Sequence, residues 1–131
     1  MSNTIRSSLY NHLQLAGANF AVYDNFELPQ NFLPFEEEYD IQREGVGMTD
    51  TSHWAKFKIS GDQSLDYLDY IVTGDVGKIR EGQVLHSLVM DKNNQMLADV
   101  FVCNDEGNYI LLAEDVDHKT FRTLLEDNNR F

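Results

Sequence analysis

Gln95-Met-Leu-Ala-Asp-Val-Phe-Val-Cys103 is a run of nine residues, eight of which suit a buried or half-buried strand. The exception is Asp99. A carboxylate in an apolar strand loses hydration at a cost of several kcal/mol unless partners or a ligand replace it, so acidic residues at such places are rare. Such a residue either stands on the solvent face or is aimed into a pocket as a functional group. Apolar neighbours on both sides favour an inward-facing carboxylate beside a hollow.

Working outward, a second strand is expected over 83–91, joined to 95–103 by Lys92-Asn93-Asn94, since Asn tolerates the positive backbone angles of tight hairpins. Asn104-Asp-Glu-Gly107 turns into a third strand, Tyr109 to Ala113. Asp115 or Asp117 can cap a last helix carrying Phe121, Leu124 and Leu125 on one side. Upstream, Phe57 and Ile59 alternate as in a strand, and Gly61-Asp62 leads into a helix with Leu65, Leu68, Ile71 and Val72 on one face. The turn-rich Thr73-Gly-Asp-Val-Gly-Lys78 lacks the Gly-Lys-Ser/Thr ending of a phosphate loop and reads as a connection.

The order from Ala55 is strand, helix, three strands, helix. Antiparallel hairpins with helices on one face make an α+β fold, and residues 54–131 are expected as a ferredoxin-like α+β domain. Residues 1–53 form an N-terminal helical and irregular segment. In it, Ser7 or Ser8 caps a helix through Leu9, Leu13 and Leu15, and 19–33 reads as irregular around Pro29. Pro34 opens a second helix with Glu36, Glu37 and Glu38 in its first turn, where the helix dipole favours negative charge, and Gly45 or Gly47 offers a left-handed cap.

Composition excludes several classes. The 131 residues, 42% of them apolar, point to one globular domain-sized chain rather than disorder. A formal net charge of −12 repels nucleic acid and anionic membranes, so neither is expected as a partner. Cys103 is the only cysteine, so no internal disulfide can form. His12, His53, His86 and His118 show no metal-ligand spacing, so no metal site is expected. With no long apolar run, the chain reads as a soluble cytoplasmic protein.

The hairpin register decides whether His86 joins Asp99. A two-residue loop at 92–93 pairs them directly and one at 93–94 sets them diagonally, on one face in both cases. A three-residue loop puts them on opposite faces. On one face they form a candidate proton-handling pair, or else a polar pair on a wet sheet face. His53 and Trp54, at the entry to the first strand of the sheet, are candidates to line the same cavity, with simple packing as the alternative.

Four stretches carry a family resemblance. Leu9-Tyr-Asn-His-Leu-Gln-Leu-Ala-Gly-Ala18, Glu38-Tyr-Asp-Ile-Gln-Arg-Glu-Gly-Val-Gly-Met-Thr-Asp-Thr-Ser-His53, Val72-Thr-Gly-Asp-Val-Gly-Lys-Ile-Arg-Glu-Gly-Gln83 and Leu97-Ala-Asp-Val-Phe-Val102 resemble successive N-terminal motifs of the glycine cleavage T-protein family. That family includes aminomethyltransferases and tetrahydrofolate-dependent demethylases. The resemblance implies the N-terminal portion of a T-protein-like folate-binding fold, with tetrahydrofolate as cofactor. In the family the strand motif ends in two aspartates, the second being the acid–base residue beside the folate; here they are Ala98 and Asp99. His86 stands where T-proteins have a tyrosine near the folate, Ala113 where they have a folate-contacting asparagine, and Trp54 where a methionine follows Ser-His. The Gly82-Gln-Val-Leu-His86 spacing resembles the branch of aromatic O-demethylases.

Two functions follow as expectations. One is a subunit of a split methyltransferase or demethylase that moves a one-carbon unit from a small methylated substrate to tetrahydrofolate. Asp99 would then be catalytic, and His86, Trp54 and His53 would bind substrate or cofactor. A partner chain with the missing family domains, or further copies of this chain, would complete it. The other is a non-catalytic binding or assembly module that kept the fold, as Ala98, His86 and Ala113 allow.

Overall fold

The computed structural model describes residues 4–23, 25–114 and 116–130. It divides into two compact units, Met1–His53 and Trp54–Phe131.

The second unit carries the strand run. Its elements are β4 (Ala55–Ile59), α3 (Ser64–Ile71), a 3-10 turn (Val76–Lys78), β5 (Val84–Met90), β6 (Met96–Asp105), β7 (Asn108–Glu114) and α4 (His118–Asp127). The four strands form an antiparallel sheet in the order β4-β7-β6-β5. Strand periodicity sends Ala98, Val100 and Val102 of β6 to one face, where they join Ala55, Val89, Tyr109, Leu111 and Ala113. Tyr67, Leu68 and Ile71 of α3 and Phe121 and Leu125 of α4 complete this core. The helices thus cover one face, as the α+β reading expects.

Local chemistry fixes the ends of these elements. Asp117 caps α4 by accepting from Thr120 N at 2.8 Å, which holds its carboxyl below the usual range. Asp115, the other candidate cap, lies outside the described residues. Tyr67 is buried and its hydroxyl donates to Leu125 O at 2.7 Å, tying α3 to α4. Burial pushes its phenol above the ordinary value. Along β5, Val72 bridges Val89, Thr73 N donates to Leu88 O, and Gly74 N donates to Ser87 Oγ at 2.8 Å. The 72–74 connection therefore clothes the β5 side of the sheet and satisfies the buried Ser87 hydroxyl.

The first unit contains β1 (Ile5–Arg6), α1 (Tyr10–Leu15), β2 (Asn19–Tyr23), β3 (Phe26–Asn31) and α2 (Phe35–Glu44). Here the sequence reading of 19–33 as irregular is corrected. β2 and β3 form an antiparallel hairpin, and β1 adds in parallel to β3. Pro29 hid it, since proline cannot donate to a ladder. β1 pairs only with Phe26 and Glu27, so at Pro29 the strand has a neighbour on one side alone, next to a register shift at Asn19/Phe20. The left-handed cap expected after α2 is also absent: Gly45 has φ −134°, and Gly47 is not among the positive-φ glycines.

Candidate functional site

The hairpin that brings β5 and β6 together takes neither two-residue loop. Met90 pairs with Met96 and Asp91 N donates to Gln95 O, enclosing the three residues Lys92, Asn93 and Asn94. Asn94 adopts the left-handed conformation, φ 61°, that closes such loops. That loop alone would separate His86 from Asp99. A bulge between Val89 and Met90 then leaves Leu97 as an extra residue on β6, and from Ala98 onward the register is Val89↔Ala98, Leu88↔Asp99 and His86↔Phe101. His86 and Asp99 end on one face, diagonal to each other.

They touch. His86 Nε2 donates to Asp99 Oδ1 at 2.5 Å. Three cross-strand rows describe the helix-free face around them: Leu88, Asp99 and Glu114; His86, Phe101, Leu112 and Lys56; Val84, Cys103, Ile110 and Lys58. The His86 ring lies 4.8 Å from that of Phe101 at 26°, and the Trp54 ring lies 5.8 Å from Phe101 on its other side, parallel to within 2°. Trp54, Phe101 and His86 make a ladder of rings, and Asp99 sits at its end. Phe101 was missed in the sequence because an aromatic between two valines in a strand reads as core.

One expectation fails. Asp99 does not face inward: its side chain is 42% exposed, and that of His86 is 59% exposed. The apolar neighbours Ala98 and Val100 that made it look desolvated point to the opposite, helix-covered face. A cavity of about 700 Å³ lies elsewhere in this unit, lined by β4, the start of α3 and the end of α4, and neither Asp99 nor His86 lines it. Ala113, at the position of a folate-contacting asparagine in the resemblance, is fully buried in the core face beside Ala55 and Val100.

Among the described residues, the carboxylate that is withdrawn from water is Asp50, in the first unit, at 8% exposure. Its Oδ2 accepts from Ser7 Oγ at 2.6 Å and its Oδ1 from Ser52 N at 2.9 Å. Burial pushes this carboxyl up, but the bonds from Ser52 and Ser7 and the nearby His53 outweigh burial, leaving it below the usual range. His53 belongs to this unit, its ring centroid 6.3 Å from that of Phe26. Its neighbourhood is thus aromatic and acidic within the first unit, whereas Trp54, His86 and Asp99 are gathered in the second. Among the described residues no group of three or more His, Cys, Asp or Glu is placed to hold a metal ion, and no helix is long and apolar enough to cross a membrane.

Fold and site together define a class: a two-layer α+β unit with an acid–imidazole pair and a stacked-ring ladder on the sheet face opposite its helices. The family of the GCVT N-terminal domain matches residues 9–130, and the chain belongs to this T-protein family. Among its relatives, the aminomethyltransferases of Symbiobacterium thermophilum and a Geobacillus strain are 32% and 31% identical over 110 and 109 residues. Both alignments cover 82% of this chain, but only 29% and 30% of the respective relatives, so the chain spans under a third of their length. The crystal structure of glycine cleavage system aminomethyltransferase T from Bartonella henselae superposes with a TM-score of 0.82 at 21% identity, covering 97% of this chain and 36% of that one. The T-protein-like α+β fold is therefore present.

Proposed function

We propose that this chain is a cytoplasmic subunit of a split tetrahydrofolate-dependent transferase of the T-protein family, acting on a small methylated substrate. Asp99 serves as its acid–base group. The observation that carries the reading is the Asp99–His86 contact at the end of the Trp54–Phe101–His86 ladder, within a chain of this family. Tetrahydrofolate, when bound, would supply the nitrogens that receive the one-carbon unit. The residues present suit such a group in two respects: the Trp54 indole, at the end of the ladder, offers flat apolar ring surface for a conjugated ring, and Asp99 offers a carboxylate on the same sheet face. With Oδ1 engaged by His86, Asp99 keeps Oδ2 to take a proton from, or hold one for, a nitrogen of the substrate.

The partner chain is part of the proposal. In the first unit α2 has no buried residue, and Phe35, Tyr39, Ile41, Val46 and Met48 are all exposed, Phe35 to 75% and Val46 to 92%. Phe35 and Tyr39, one turn apart on α2 with their rings 6.2 Å apart, are the apolar pair on which such an interaction would centre. The content proposed for such a partner is further structure of the T-protein family.

Calorimetry with tetrahydrofolate, on the chain alone and with a candidate partner, tests the reading. Heat of binding that needs Trp54, and turnover that disappears in Asp99→Asn with the fold intact, is the expected result. Turnover unchanged in Asp99→Asn removes Asp99 from the mechanism. Partner binding without any folate binding or turnover favours the non-catalytic assembly module, consistent with the buried Ala113.

A further inference from the structure

We infer that Phe101 is a positioning residue for the Asp99–His86 pair, acting through its ring rather than on substrate. The inference deepens the reading of Asp99 as the acid–base group and rests on it for its functional meaning.

Phe101 lies two residues beyond Asp99 on β6 and directly across from His86 on β5. The imidazole of an exposed histidine turns between broad orientations about its outer torsion, and only some of them carry Nε2 to a neighbouring carboxylate. His86, more than half exposed on the helix-free face, has no core packing to choose among them. Its ring instead stacks on Phe101 at 4.8 Å, and Phe101 is itself held from the far side by the parallel indole of Trp54. Stacked rings of this kind attract beyond their buried area and fix relative orientation. The stack thus sets the His86 ring, and the His86 ring sets which Asp99 oxygen is occupied. Without Phe101, His86 swings away and Asp99 loses the contact that orients it.

Replacing Phe101 need not damage the fold. Val100 and Val102 on either side carry the core contacts of this stretch of β6, while Phe101 belongs to the face without helices. The test is NMR on the full chain, following the Asp99 carboxyl carbon as His86 is titrated. In the wild type the Asp99 signal steps as His86 takes up its proton, and the step vanishes in His86→Gln. Phe101→Leu is expected to lose the step while keeping a native near-ultraviolet spectrum, and Phe101→Tyr, which restores a ring of the same shape, is expected to regain it. Trp54→Leu, which frees the far side of Phe101, is expected to shrink the step and serves if Phe101→Leu does not fold. A full step in folded Phe101→Leu, or in Trp54→Leu where that variant must serve, overturns the inference, as does its absence from the wild type. The readout needs no substrate, so failure to bind tetrahydrofolate would refute the proposed function while leaving this geometry standing.

Discussion

Strand β6 should show opposite responses at adjacent residues. Val100 is fully buried among α3, α4 and the neighbouring strands, so Val100→Ala removes two carbons from a packed core. At about 0.8 kcal/mol per buried methylene, with an added contribution from the cavity left behind, the loss is about 2 to 3 kcal/mol. For a chain of this length that lowers the melting temperature by roughly 8 to 12 °C. Asp99→Ala, one residue away, removes a half-exposed carboxylate and its contact with His86. Solvent screening and side-chain entropy limit such pairs to about 1 kcal/mol or less. Urea unfolding followed by far-ultraviolet circular dichroism, with the fluorescence of the sole tryptophan Trp54 as a second probe, measures both. If Asp99→Ala costs as much as Val100→Ala, the assignment of Asp99 to the helix-free face is wrong.

Gly74→Ala is expected to destabilise by about 1 to 3 kcal/mol, because its Cβ would meet Leu85 Cδ2 at 2.9 Å and Ser87 Oγ at 3.0 Å where the connection seals β5; a thermal melt reads it. Tyr67→Phe leaves the Leu125 carbonyl without its donor and should cost about 1 to 2 kcal/mol in urea unfolding, with a smaller loss meaning that water replaces the hydroxyl. Asp50 gives a pH dependence of definite sign. Its folded carboxyl titrates below the unfolded one, so its contribution is full above about pH 4 and is lost as pH falls through the folded value. Asp50→Asn should flatten that part of the acid branch in urea midpoints taken between neutral and acid pH; an unchanged branch would show that other carboxylates carry it.

The sheet and its helices were legible because their signals are local and redundant. Period-two alternation in β6, the polar turns at 92–94 and 104–107, and the apolar stripes of α3 and α4 all agree on one architecture. The β2–β3 hairpin was not legible, since Pro29 argues against a strand unless the length of the neighbouring strand is known, and that is a tertiary fact. The shared face of His86 and Asp99 was reached by a route the sequence does not display: the three-residue loop breaks it and the bulge at Leu97 restores it. Burial of Asp99 was misread for a related reason. Neighbours in sequence along a strand lie on opposite faces, so Ala98 and Val100 report on the core and say nothing about the surroundings of the residue between them.

A carboxylate 42% exposed to water acts on a nearby charge through a screened field, and a preorganised acid–base group gains its strength where water is excluded. On the proposed reading, then, Asp99 needs water excluded from the Trp54–Phe101–His86 face in the working enzyme, and bound ligand or partner is proposed to do so. Catalysis and assembly become one claim with two measurements. Hydrogen exchange in the complex should slow at the amides of β5 and β6 that border His86 and Asp99, and should do so under the same conditions that bring turnover. A partner that binds and leaves those amides exchanging as in the free chain would separate the two, and the chain would then be an assembly module whose Asp99–His86 pair stays in water.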